Sequence, residues 1–445
     1  MAESLKIHVT SLGCPKNLAD TERILAVLKE ALPDISFEKD HKNACLLLVN
    51  TCAFIEDAVQ ESIDRILELC QEKGKGQHLV VFGCMPLRYG LQLEKLIPEV
   101  DRFIFHVEPD RIASEILGLL SRKTAPLVPS HKRLVTGKPW QVFVKISDGC
   151  SNRCTYCLIP KIRGGLRCRS PKDIVKEINE AVSLGAVEIT LVAQDLTAYQ
   201  YEGIDLPALI RLILKETDCR WLRLMYLYPE GIDQELLELV AKEDRICNYL
   251  DVPIQHTSDR VLKRMGRPGN SAKLNRKLET IRSFLPDASL RTTVMVGFPG
   301  EEDKDYRTLV DFIKRWRFHH LGCFVYSDEQ EAYSRLFKDK VAKEVAIARK
   351  EELMEIQKGI SRAINRDFIG KEIDVLIQGY CEESELLLCA RSRFQAPEID
   401  GITYINQGNS TEGSIERVKI TQAFDYDIVG KIVPPITQTN FAAKG

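Results

Sequence analysis

Short apolar runs alternate with amphipathic helical stretches from residue 6 to about residue 366, and beyond residue 368 the alternation stops. A chain patterned this way favours parallel sheets flanked by helices, with ligands gathered at the C-terminal strand ends. Residues 1–122 form the first block. Its strand candidates are Lys6–Ser11, Cys45–Asn50 and Leu79–Phe82, and its helix candidates are Asp20–Leu32, Glu56–Gln71 and Leu91–Leu96. A parallel-sheet domain with helices on both faces is expected there.

Thr124-Ala125-Pro126-Leu127-Val128-Pro129-Ser130, with Gly137 and Pro139 further on, reads as an exposed linker over 123–137. Residues 138–366 alternate again. Strands are expected at Val142–Ile146, Val187–Val192, Trp221–Tyr226, Tyr249–Val252, Ser289–Val296 and Gly322–Tyr326. Helices are expected between them, such as Pro171–Leu184 and Asp303–Arg317, with one long charged helix over Ala342–Arg366. Six such repeats imply a partial (β/α) barrel, whose chemistry sits at the C-terminal strand ends. Residues 367–435 carry short runs at Glu372–Ile377, Leu386–Ala390, Ile402–Ile405 and Ser414–Ile420, separated by turn residues. They predict a small antiparallel β-barrel, followed by a tail over 436–445.

Lys plus Arg number 62 against 64 Asp plus Glu, so a globally basic nucleic-acid binder is not indicated. No apolar run reaches the length of a membrane span. The first residues lack the apolar core of a secretion signal, which predicts a cytoplasmic protein. In a reducing compartment the 14 cysteines are better explained by metal ligation or thiol chemistry than by a disulfide scaffold.

Gly149-Cys150-Ser151-Asn152-Arg153-Cys154-Thr155-Tyr156-Cys157 has the spacing CxxxCxxC and directly follows a strand. Three thiolates on one short loop can hold three irons of a cubane cluster and leave the fourth open to a small molecule. A zinc site and coincidence are the rival readings. Structural zinc wants four ligands, commonly in paired knuckles, and no second knuckle is near, although Cys168 lies eleven residues on. Tyr156 is placed to pack on an adenine, or simply to fill the loop.

Cys14, Cys52 and Cys84 are far apart in sequence but share a context, since each follows a strand run. Parallel strands set their C-terminal ends side by side, so these three would converge at one sheet edge. Gly13 and Gly83 would let the backbone approach a bulky group. Buried cysteine packing is the alternative for each, and it is the reading given to Cys45, Cys70, Cys168, Cys219, Cys247, Cys323, Cys381 and Cys389.

Several segments resemble one family. Cys150 to Cys157 resembles the signature of radical S-adenosylmethionine enzymes. Ser11-Leu12-Gly13-Cys14-Pro15-Lys16-Asn17, Val49-Asn50-Thr51-Cys52-Ala53, Phe82-Gly83-Cys84, Ser147-Asp148-Gly149-Cys150 and Val296-Gly297-Phe298-Pro299-Gly300-Glu301 resemble methylthiotransferases, and the C-terminal barrel resembles their TRAM domain. The resemblance implies a transferase with two 4Fe–4S clusters and S-adenosylmethionine. Cys14, Cys52 and Cys84 would hold an auxiliary cluster, and Cys150, Cys154 and Cys157 the radical cluster. The sulfur species on the auxiliary cluster would be methylated by one S-adenosylmethionine. A second would supply the radical, and the substrate carbon radical would capture the methylthio group. An electron donor such as a flavodoxin or ferredoxin is implied.

Two branches of the family differ in substrate. One acts on a modified adenosine of tRNA, the other on the β-carbon of an aspartate in small-subunit ribosomal protein twelve. Cys14-Pro15-Lys16-Asn17-Leu18-Ala19-Asp20 and Gln395-Ala396-Pro397-Glu398-Ile399-Asp400-Gly401 resemble the second. From Ile369 onward 7 Lys plus Arg face 11 Asp plus Glu, which suits a basic protein better than RNA phosphates. A cluster-bearing ribosome- or RNA-binding assembly factor without turnover is the reading from another class. Tyr326-Ser327-Asp328-Glu329-Gln330-Glu331-Ala332-Tyr333-Ser334 departs from the family pattern, with Glu331 and Ala332 in place of Gly and Thr. Gln194, Asp195 and Arg291 are the further candidates for cofactor or substrate contacts. Arg291 would pair with the cofactor carboxylate if it faces the barrel interior. Gln255 and His256 lie at another strand end, with His256 read as capping a turn.

Overall fold

A computed structural model of the chain describes residues 5–120, 132–382 and 384–434. Residues 123–131 of the expected linker and the expected tail 436–445 lie outside the described residues. The first domain holds five parallel strands, β1 (Leu5–Ser11), β2 (Ile35–Phe37), β3 (Leu46–Thr51), β4 (His78–Gly83) and β5 (Arg102–Phe103), in the order β2-β1-β3-β4-β5. Every residue of β3 is buried, as a central strand covered on both faces requires. Alternate residues divide the faces. Leu47, Val49, Leu79 and Val81 meet Ile66 and Leu69 on one side, while Leu46, Leu48, Val80 and Phe82 meet Ile24, Leu25, Ile112 and Ile116 on the other. These helix residues belong to α1 (Pro15–Ala31), α2 (Glu56–Glu72) and, beyond the short α3 (Cys84–Tyr89) and α4 (Gln92–Leu96), α5 (Pro109–Leu119). Helix α1 starts at Pro15 rather than Asp20, because proline's fixed φ and missing N–H suit the first helical position.

The second domain is an open half-barrel. Its strands are β6 (Gln141–Lys145), β9 (Glu188–Val192), β12 (Trp221–Leu224), β13 (Ile246–Asp251), β14 (Ser289–Val296) and β15 (His320–Val325), with the small pairs β7 (Ser147–Asp148) with β8 (Arg167–Cys168) and β10 (Gln200–Tyr201) with β11 (Ile204–Asp205) folded between them. The six main strands lie side by side in chain order and all run parallel. One face of this sheet carries Ile189, Leu191, Leu222 and Leu224, which pack with helix residues such as Ile174, Leu209 and Leu236. The opposite face carries Phe143, Trp221, Cys247 and Tyr249 and meets Leu376 and Ala396 of the third domain. The third expected strand stops at Leu224. Tyr226 has φ 62°, and its N–H donates to Asp251 Oδ2 at 3.0 Å.

The C-terminal domain is a closed barrel of β16 (Glu372–Cys381), β17 (Ser384–Ser392), β18 (Thr403–Gln407), β19 (Ile415–Ala423) and β20 (Ile428–Ile432). It is antiparallel except where β18 pairs parallel with β20, a strand too short and glycine-interrupted to stand out in the sequence. Cys381 and Cys389, expected as packing residues, form a disulfide across the β16–β17 hairpin, with Cα atoms 5.1 Å apart. Cys45 is exposed rather than buried, whereas Cys219, Cys247 and Cys323 are buried as expected.

The segment from Arg391 to Asp400 enters the half-barrel at its N-terminal end. Glu188, the first residue of β9, accepts from Arg223 Nε and Arg391 Nη2, each at 2.6 Å. Asp400 accepts from Arg291 Nη1, Tyr249 Oη and the Ala396 N–H, each at 2.8 Å. Burial alone would raise the Glu188 pKa, but the two guanidinium groups lower it from 4.5 to about 2. Glu188 therefore stabilises docking above about pH 4.5, and that contribution is lost as pH falls toward 2. Acidification across this window should open the domain junction to pepsin cleavage near residue 370. In Glu188→Gln the cleavage should lose part of its pH dependence, the rest belonging to Asp400, which its partners also hold below the usual carboxylate range; an unchanged profile would show that Glu188 does not control docking.

Candidate active site

The C-terminal ends of β1, β3 and β4 lie side by side, and each delivers one cysteine. Cys14 caps the start of α1, Cys52 follows β3, and Cys84 opens α3. Gly13 and Cys52 are in close approach: a Cβ on Gly13 would come within 2.5 Å of Cys52 Cβ and 3.0 Å of its Sγ. Asn17 ties the loops together, donating to Leu12 O at 2.9 Å and Thr51 O at 3.1 Å. Its Oδ1 lies 4.0 Å from Cys84 Sγ. Burial pushes the Cys52 thiol up to about 11, reinforced by charge on Cys84 and Cys14. Burial would also raise Cys14, but Lys16, the Asn17 N–H and Arg163 outweigh it and lower the thiol.

The second set lies at the C-terminal mouth of the half-barrel, on the loop after β7. Its shape is fixed from several sides. Cys150 N–H donates to Gly164 O (3.2 Å), Thr155 N–H to Met265 O (2.9 Å), and Thr155 Oγ1 to Arg264 O (2.8 Å). Gly149 has φ +71°, and a Cβ there would strike Gly165 O at 2.2 Å, so only glycine lets the loop turn this tightly. Asp195 is buried and accepts from Asn152 Nδ2 at 2.9 Å while capping the turn at Thr197. It thus holds the cysteine loop as a positioning residue. Burial pushes Cys157 up to about 12 and also raises Cys150. Among the described residues, no three His, Cys, Asp or Glu side chains converge as the ligands of one metal ion do.

Tyr156 stands edge-on to Phe298, with ring centroids 6.4 Å apart. Phe298 also meets Tyr326 and Phe337, forming an aromatic wall behind the loop. The turn carrying Phe298 is anchored when Glu301 accepts from the Phe298 N–H (3.3 Å) and Arg349 Nη1 (2.8 Å). Gln194, two residues beyond β9, has a buried Oε1 with no hydrogen-bond partner among the described residues. His256 is fully buried and caps the next turn, its Nδ1 accepting from Ser258 N–H at 3.0 Å; burial holds its pKa down to about 3, so it stays neutral. Arg291 is not brought to this mouth. It is the third residue of β14, near the opposite end, and its guanidinium is taken by Asp400.

One buried network joins the two sets. Arg163 Nη2 lies 3.5 Å from Cys84 Sγ and donates to Asn17 Oδ1 at 2.8 Å, while Nη1 reaches Asp20 Oδ2 at 2.9 Å and Asp148 Oδ2 at 3.4 Å. Lys145 pairs with both Asp20 and Asp148. Burial opposes these charges, yet Cys84, Asp20 and Asp148 hold Arg163 well above its ordinary pKa. None of Arg163, Lys145 or Asn17 was singled out from the sequence. The residues that depart from the family pattern also serve this seam. Arg88, just after Cys84, donates to Glu329 Oε2 (2.7 Å), Glu331 Oε2 (2.8 Å) and Ala53 O (2.9 Å). Glu331 therefore docks the half-barrel's last loop beside Cys52 and Cys84.

Fold and cysteine loop together define a radical S-adenosylmethionine enzyme. Residues 144–313 match the radical SAM superfamily, residues 6–105 match the uncharacterized protein family UPF0004, and residues 369–433 match the TRAM domain. A similar fold occurs in the radical S-adenosylmethionine methyltransferase TsrM from Kitasatospora setae, with a TM-score of 0.53 at 17% identity, covering 73% of this chain and 75% of that one. Curated relatives are much more similar. The ribosomal protein uS12 methylthiotransferase RimO of Geotalea uraniireducens is 41% identical over 96% of this chain and 98% of its own length. That of Clostridium kluyveri is 40% identical over 97% and 98%. The chain belongs to the RimO family of radical S-adenosylmethionine methylthiotransferases. An iron–sulfur cluster and S-adenosylmethionine are the cofactors of that class. No helix among the described residues is long and apolar enough to cross a membrane.

Proposed function

We propose that this enzyme places a methylthio group on the β-carbon of an aspartate in ribosomal protein uS12. The observation that carries the reading is the identity of about 40% with uS12 methylthiotransferases over nearly the whole chain, and the buried network of Arg163, Asp20, Lys145 and Asp148 fits it by tying the Cys84 side to the strand that leads into the Cys150 loop. Two sets allow two 4Fe–4S clusters. Cys150, Cys154 and Cys157 would hold one, leaving an iron without a protein ligand, and Cys14, Cys52 and Cys84 would hold the other. With S-adenosylmethionine and a low-potential donor such as a flavodoxin or ferredoxin, clusters held there would supply a carbon-centred radical and a sulfur source.

The protein supplies placement. Asp195 and Asn152 fix the cysteine loop, Gln194 offers a free acceptor, and Tyr156 with Phe298 walls the mouth. A protein substrate is favoured by charge. Arg391 and Arg393 are turned inward, to Glu188 and to backbone oxygens at the start of β13, which leaves Lys371, Arg417, Lys419 and Lys431 as the exposed cations of an acidic barrel among the described residues. A shallow open surface beside Leu12 carries Asp57, Glu61, Asp64 and Glu68 with Arg65, which suits a basic partner.

Mass spectrometry of uS12 from a strain lacking this gene tests the reading. The aspartate should be unmodified, and the modification should return with the wild-type gene. A uS12 that stays modified overturns it. Loss of a methylthioadenosine from tRNA in the same strain would assign the other substrate. Absence of any change would favour a binding factor without turnover.

A further inference from the structure

We propose that Lys16 grips the side-chain carboxylate of the substrate aspartate. This rests on the reading above and names the residue that makes that site specific.

Lys16 lies two residues beyond Cys14, in the first turn of α1. Its ammonium sits 3.8 Å above the ring centroid of Tyr226, which belongs to the half-barrel. The Tyr226 backbone is fixed by Asp251 on one side and by the Leu196 N–H, donating to Tyr226 O at 2.9 Å, on the other. Leu196 adjoins Asp195, the residue that holds the cysteine loop. Lys16 therefore reaches from the Cys14 side of the seam to the other side.

A lysine here does not serve the helix. The positive end of the helix dipole is at the N-terminus, where a cation is disfavoured. Its charge faces the Cys14 thiol and Tyr226, but no carboxylate takes it. Among the described residues no carboxylate forms an ion pair with Lys16, whereas Arg163 and Lys145 share Asp20 and Asp148, and Arg291 holds Asp400. Asp251 accepts from Tyr226 N–H and faces Arg291 Nε at 3.8 Å. The Tyr226 ring steadies the ammonium through its π face, while an ammonium has three N–H donors to offer an incoming anion.

The reaction explains why that anion should be the substrate's own carboxylate. In aspartate the carboxylate carbon is bonded directly to the β-carbon. A charge-assisted hydrogen bond to the carboxylate therefore fixes the reacting carbon to within one bond. The carboxylate of S-adenosylmethionine is the other source of the same chemistry. Lys16 stands on the Cys14 side rather than on the Cys150 loop, which favours the substrate.

The test uses reconstituted full-length enzyme and recombinant uS12 carrying either the target aspartate or asparagine. Equilibrium binding is measured with S-adenosylmethionine present, in wild type, Lys16→Met and Lys16→Arg. Wild type should prefer aspartate by about tenfold or more, the strength of a hydrogen bond to a charged group. Lys16→Met should bring that ratio close to one, with S-adenosylmethionine affinity unchanged, and Lys16→Arg should keep a preference. The proposal is overturned if Lys16→Met keeps the wild-type ratio, or if S-adenosylmethionine binding alone weakens. Wild type binding uS12 without preferring aspartate sinks the Lys16 assignment only. Wild type binding neither form, with uS12 still modified in the strain lacking the gene, sinks the substrate reading with it.

Discussion

Replacing Cys150, Cys154 and Cys157 together by alanine should lower the iron content from about eight to about four per chain and abolish formation of 5′-deoxyadenosine. The three thiols share a loop that the rest of the protein holds in place, through Gly164, Met265, Arg264 and Asp195. Alanine removes the ligands and leaves those bonds in place, so the fold should survive and the loss should be chemical. The complementary variant, with Cys14, Cys52 and Cys84 changed to alanine, should also keep about four irons. It should still cleave S-adenosylmethionine but transfer no sulfur. Iron and acid-labile sulfide analysis after anaerobic reconstitution, with product chromatography, checks both. A wild type with only about four irons, and a loop variant with none, would mean that the N-terminal cysteines hold no cluster.

Arg163→Met should be the most damaging single substitution away from the cysteines. Methionine fills much of the space but carries no charge. Asp20 and Asp148 would then share Lys145 alone in a buried site, and Asn17 Oδ1 would lose its 2.8 Å donor. Breaking one partner out of a buried ion cluster costs about 3–5 kcal/mol. The expected result is a loss of that size in denaturant unfolding, with iron lost first from the Cys84 side. The double variant Asp20→Asn/Arg163→Met should be less destabilised than the sum of its parts, because the uncompensated carboxylate is gone. A loss below about 1 kcal/mol for Arg163→Met would show that the network does not hold the seam.

The parts of this architecture that the sequence made legible are those with local signals. Strand–helix alternation marked the two sheets, and β14 was placed with its observed bounds because Ser289–Val296 is bracketed by turn residues. The placement of Cys14, Cys52 and Cys84 at neighbouring strand ends was legible because each follows a strand, and parallel packing does the rest. The connecting network was not legible. Arg163 and Asp20 are 143 residues apart, and nothing in the local pattern of either marks the other. Arg291 misled for a geometric reason. Its strand is eight residues long, so a residue near its beginning lies far from the mouth where its end delivers Gly297. Pro15 is the local signal for the true start of α1, which the expected start at Asp20 passed over.

The docking of Arg391–Asp400 has a consequence for how this enzyme can be taken apart. The appended barrel contributes the floor of the neighbouring half-barrel, where Glu188 and Arg223 would otherwise face solvent in a widened opening. It is therefore not a detachable cassette. A chimaera that exchanged this module for another would inherit new outer loops only if its own stopper matched the same charges. Diversification of what the module recognises is thereby confined to the side turned away from the half-barrel.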